Sequence, residues 1–113
     1  MTYSKIFICN YAGHDVSDAF RYTKLSPEEA QINLTEGNVD IFDVDRLIYF
    51  IKNRLKESSP EDYLLLSGGN ILNCIAFSIW LQMHGIVKIL IYNAKEKRYI
   101  LREITHTKIT IDI

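Results

Sequence analysis

A chain of 113 residues with thirteen basic and fourteen acidic side chains carries a formal charge of −1 and suits one domain, residues 1–113, with a modest core. Hydrophobic residues at 48% and charged residues at 24% are ordinary for a globular protein and exclude intrinsic disorder. A balance this close to neutral sets up no long-range field toward a DNA or RNA polymer, which excludes a non-specific nucleic-acid binder.

The opening MTYSKIFICNYAG lacks the long apolar stretch and small-residue cleavage site of a signal peptide, so a cytoplasmic protein is expected. KIFIC, residues 5–9, is short, β-branched and aromatic, and reads as the first strand. A short helix is predicted over residues 17–22. SPEEA, residues 26–30, offers Ser at an N-cap, Pro at the first helical position and two Glu in the first turn. Only Gln31 separates it from INL, residues 32–34, the second strand, so the helix has room for a single turn.

Across residues 43–56 the apolar positions Val44, Leu47, Ile48, Ile51 and Leu55 recur at helical spacing and leave Arg46, Lys52, Asn53 and Lys56 to solvent. YLLLS, residues 63–67, is an uninterrupted apolar run, the mark of a strand covered on both faces and therefore central in a parallel sheet. A helix over residues 70–84 ends at Gly85. Its apolar stretch is shorter than the roughly 20 residues a bilayer needs, so no membrane partner is expected. VKILIYN and YILREI form an antiparallel hairpin around AKEKR, and the alternation of KITIDI, residues 108–113, predicts a further edge strand.

This order of elements predicts an α/β fold, a small Rossmann-like three-layer sandwich whose mostly parallel sheet runs about 2-1-3-4-5 with an antiparallel C-terminal hairpin. Right-handed crossovers then set the first and third strands side by side, with a crevice where their carboxyl ends splay. The loops at that point are CNYAGHD and LSGGN, the stretches richest in glycine and small polar residues.

Each loop has a structural reading and a chemical one. Gly68 and Gly69 either make a tight strand-to-helix turn capped by Asn70, or bring main-chain amides up to an anion at a helix N-terminus. No GxGxxG and no phosphate lysine accompany them. Asp15 or Ser17 can cap the short helix; alternatively Asp15 orients His14, the imidazole placed at the crevice, for acid–base work. His14 and Asp15 are therefore the catalytic candidates. Asn10, Gly13, Ser17, Arg21, Ser67, Gly68, Gly69 and Asn70 are the ligand-binding ones, with Arg21 the nearest basic side chain.

Cys9 and Cys74 sit in apolar sequence and read as free, buried thiols. His84 and His106 fall away from the crevice, and the histidines and cysteines lack metal-ligand spacing, so neither metal nor cofactor is expected. The helix NILNCIAFSIWLQMH is apolar around most of its circumference, which predicts a covering subunit over Trp80 and a homodimer or larger assembly.

The segments NYAGHDVSDAFRY, LTEGNVDIFDVDRLIYFI, DYLLLSGGNILN and VKILIYNAKEKRY resemble a family of small bacteriophage α/β proteins that share an N-x-A-G-H-D opening and an LLLSG strand end. The similarity runs from about Lys5 to Tyr99, with TKLSPEEAQ, residues 23–31, longer than the family's usual connection. It implies a phage accessory protein expressed in a bacterial host, and implies no activity. Two functions compete: binding a nucleotide or other phosphorylated small molecule in the crevice, such as a host signalling nucleotide, or acting as a protein–protein interaction module on a host or virion protein through an aromatic surface or a sheet edge.

Overall fold

The computed structural model describes residues 3–111. In chain order it contains β1 (Ile6–Ile8), a 3-10 helix (Ser17–Tyr22), α1 (Pro27–Ala30), β2 (Gln31–Asn33), α2 (Val44–Leu55), β3 (Tyr63–Leu65), α3 (Asn70–His84), β4 (Ile86–Asn93), β5 (Arg98–Thr105) and α4 (His106–Ile109). The five strands form one sheet in the order β2-β1-β3-β4-β5, parallel except for the β4–β5 hairpin. This is the expected α/β architecture.

Alternation along the central strands builds two cores. Phe7 and Cys9 on β1 and its exit, Leu64 on β3, and Val87 and Ile89 on β4 point to the face covered by α2 and α3. Ile6, Ile8, Tyr63, Leu65 and Leu90 point the other way, under Val16 and Ala19 of the 3-10 helix segment. With both faces covered, β1 and β3 are apolar at every position, as parallel strands in the middle of a sheet must be.

Local signals set the helix ends. Ser26 and Glu29 form a capping box around the single turn of α1, and the Asp43 carboxylate accepts the Arg46 amide at the start of α2. Gly85 closes α3 in the left-handed region at φ +73°, its amide donating to Leu81 O at 2.8 Å. On α2 the buried stripe is narrower than the sequence pattern: Leu47, Ile51 and Leu55 are buried, whereas Val44 and Ile48 stay 37% and 38% exposed.

Three expectations are corrected. KITIDI adds no edge strand: Lys108 and Ile109 belong to α4, which Thr105 caps by accepting the Lys108 amide, Thr110 and Ile111 lie outside any strand, and residues 112 and 113 fall outside the described residues. Cys74 is exposed, because it lies on the outward side of α3. Trp80 needs no second subunit to cover it, since it is fully buried within its own chain, edge-on to Phe7 at 5.4 Å and against His84 at 5.6 Å. Among the described residues, no helix is long and apolar enough to cross a membrane.

Candidate functional site

β1 and β3 are parallel neighbours, in register from Ile6↔Tyr63 to Ile8↔Leu65, so their exits adjoin at the point where the crossover direction reverses. Those exits are stitched together instead of splaying. The Ser67 hydroxyl accepts from the Asn10 amide at 3.1 Å and donates to the Asn10 carbonyl at 2.8 Å. Thr35 Oγ1 lies 2.9 Å from Asn10 Oδ1, and Asn10 Nδ2 donates to Gly37 O at 3.2 Å, so both ends of the Asn10 carboxamide are engaged. Gly68 follows at φ +78°, packed so tightly that a Cβ there would lie 2.7 Å from Asn10 Cβ. Asn73 secures the same turn from α3 by accepting the Ser67 amide at 3.1 Å.

The open space lies one strand further along, on the face of the 3-10 helix. A hollow of about 500 Å3 is lined by His14, Asp15, Leu66, Ser67, Gly68, Tyr92 and Tyr99. The hairpin register sets Tyr92 directly across from Tyr99, their rings edge to face at 5.2 Å. His14 is exposed and leans on Tyr11, ring centroids 5.5 Å apart. Gly13, at φ +84°, turns the loop that presents it.

The electrostatics are those of an acceptor-rich site. Asp15 takes the Ser17 amide at 2.9 Å, and this bond together with the Ser17 hydroxyl holds its carboxyl below the usual range, keeping it anionic. Burial, reinforced by the neighbouring Tyr92, Asp15 and Asp18, pushes the Tyr99 phenol up and keeps it a donor.

Arg21 does not line the hollow. Its guanidinium donates to Tyr99 O at 2.5 Å, pairs with Asp18 at 3.3 Å and lies over the Tyr22 ring. Asp18 Oδ2 accepts the Tyr99 amide at 2.6 Å and Tyr22 donates its hydroxyl to Tyr99 O at 3.0 Å, so the 3-10 helix clasps the outer strand β5 at Tyr99. Gly69 and Asn70 form the entry to α3: Gly69 occupies the N-cap in an extended conformation and its carbonyl accepts from Leu72 and Asn73, and no side chain caps the helix.

Of the residues expected to line a site, His14, Asp15, Ser67 and Gly68 meet at the hollow. Asn10 holds main chain, Ser17 holds the Asp15 carboxylate, and Arg21 holds β5. Tyr92, Tyr99, Thr35 and Asn73 were not foreseen; the tyrosine pair was open to discovery only by aligning the two hairpin strands about their turn.

Other chemistry-bearing groups are structurally occupied. Cys9 is fully buried, and burial pushes its thiol up to about 12, against a smaller opposing effect of the Ser67 backbone. His84 Nε2 lies 2.8 Å from Ser58 Oγ, but the serine hydroxyl donates to Leu55 O at 2.6 Å, so the imidazole is the donor and the pair is no nucleophile and base. Among the described residues, no three His, Cys, Asp or Glu side chains gather as metal ligands do.

No curated protein and no solved structure matches the chain. A family model does, over residues 6–106, from the first residue of β1 to the first residue of α4. Every strand and both long helices lie within that span, and the chain belongs to the phage Pam3 gp32-like protein family.

Proposed function

We propose that this phage-family protein binds a nucleotide-type small molecule in the hollow beside β3 and the hairpin, in the cytoplasm of the infected host. The observation that carries the reading is the convergence of one fixed carboxylate, one imidazole and two tyrosines on a hollow of about 500 Å3 at the carboxyl end of a parallel sheet. A planar base suits the exposed Tyr92 and its partner Tyr99, and ribose hydroxyls suit Asp15 and His14. The anionic Asp15 disfavours phosphate beside it. Phosphate fits better at the other end, over Gly68, Gly69 and Asn70, where α3 begins without a side-chain cap. With its hydroxyl engaged by the Asn10 main chain, Ser67 offers no free nucleophile in the hollow.

Thermal-shift titration with nucleosides, nucleoside mono- and diphosphates, cyclic nucleotides and inorganic phosphate tests the reading. Saturation at a hundred times the dissociation constant adds about 2.7 kcal/mol of stability. Nucleotides are expected to stabilise the native protein, with the gain lost in Asp15→Ala and Tyr92→Ala; no shift, or a shift that survives both substitutions, refutes it.

A second reading, an interaction module for a host or virion protein, is favoured by Phe42 and Tyr49, which are 88% and 68% exposed near the start of α2. At the edge strand β5 the 3-10 helix already holds the main chain of Tyr99, which blunts that end of the edge against strand addition.

A further inference from the structure

α2 and α3 lie together on the face of the sheet opposite the hollow, and between them runs an open apolar groove of about 700 Å3. Ile48, Ile79 and Met83 supply its apolar lining, and Lys52 and Lys56 stand along the α2 side. Ile48 and Met83 are 38% and 42% exposed, and α3 carries no Asp, Glu, Lys or Arg anywhere along its length. A helix that met only water would be charged on its outward side.

The charges that do border this face belong to α2. Asp45, Ile48 and Lys52 follow one another at spacings of three and four residues, which places them on a single flank of the helix. Neither Asp45 nor Lys52 forms an ion pair within the described residues of its own chain.

We propose that the groove is closed by a second copy of the chain, with the two α2 helices crossing antiparallel about a two-fold axis between Ile48 and Tyr49. That axis sets Asp45 of each protomer opposite Lys52 of the other, so two ion pairs flank an apolar centre formed by Ile48 and the groove. An unrelated acidic partner would satisfy the lysines alone. The self-partner is singled out by Asp45, whose seven-residue offset from Lys52 allows one symmetric contact to satisfy both signs. The proposal does not rest on the hollow, which stays open on the far side of the sheet.

Size-exclusion chromatography with light scattering on the full chain, over the micromolar range, tests it. A dimer is expected, and Cys74, the exposed thiol on the groove, should lose reactivity toward a disulfide reagent as the protein concentration rises. Lys52→Asp sets acid against acid and should raise the dimer dissociation constant about tenfold or more. The double swap Asp45→Lys with Lys52→Asp should restore the dimer, with circular dichroism confirming that each variant is folded. A monomer throughout the range, a dimer indifferent to Lys52→Asp, or a double swap that fails to recover it overturns the proposal. Nucleotide titration of a monomeric Lys52→Asp variant reads the hollow separately.

Discussion

The Ser67 hydroxyl spans the main chain of Asn10, accepting a hydrogen bond from its amide and donating one to its carbonyl across a sequence separation of 57 residues. At the other end of the same strand pair, Asp62 accepts the Lys5 amide at 2.9 Å, again 57 residues apart. Two side chains thus bracket β1 against β3. Ser67→Ala strips both bonds from a half-buried peptide and should cost about 1–3 kcal/mol in urea unfolding, with the far-ultraviolet spectrum of the native protein retained. Ser67→Thr, which keeps the hydroxyl, should recover part of the loss.

Gly68 and Gly13 both sit at positive φ, but only Gly68 has a neighbour where a side chain would grow. Gly13→Ala pays backbone strain alone, about 1–2 kcal/mol. Gly68→Ala adds a collision with Asn10, itself pinned by four hydrogen bonds, and should cost about 2–4 kcal/mol. Equal losses in denaturation would show that Asn10 gives way freely.

Asp18 is the acceptor for the Tyr99 amide and the ion-pair partner of Arg21. Asp18→Ala leaves both without their partner at the rim of the sheet, and a loss of about 1–3 kcal/mol is expected. Because the freed edge of β5 is a template for pairing with another chain, turbidity on heating should rise in this variant more than in one of equal stability mutated elsewhere.

The buried Cys9 gives stability a slope at alkaline pH. Its thiol is raised from 9.0 to about 12 in the folded protein, so its contribution is complete below 9.0 and is lost as pH climbs, at about 1.4 kcal/mol per unit, until about 12. Tyr99, raised in the same direction, adds to the fall at the upper end. In Cys9→Ala, urea midpoints measured against pH should lose the Cys9 component. Thiol titration of dilute protein should count one reactive cysteine in the native state and two in denaturant.

Much of this architecture was legible because the decisive patterns are local. The unbroken YLLLS could only be a covered strand, and the four residues before Gln31 left room for one helical turn. What failed required knowledge of neighbours. KITIDI alternates like a strand, yet Thr105 caps a helical turn through Lys108 and Ile109, which takes the start of that segment away from the sheet. Cys74 looks buried in a run of apolar residues, but position around the axis, not company in sequence, decides burial on a helix. Four of the residues read as site candidates, His14, Asp15, Ser67 and Gly68, line the hollow, but no local signal announces that Ser67 closes onto Asn10 and leaves the space to Tyr92 and Tyr99.

The strands differ sharply in reach: β1, β2 and β3 are three residues each, and β4 and β5 pair over eight. The hairpin joins residues close in the chain and can zip up on its own, whereas β1 must wait for partners delivered by two long crossovers. Assembly order is therefore expected to oppose synthesis order. The first strand to leave the ribosome is among the last to be locked in place, and its locking seats the Asn10 loop against Ser67 at the rim of the hollow.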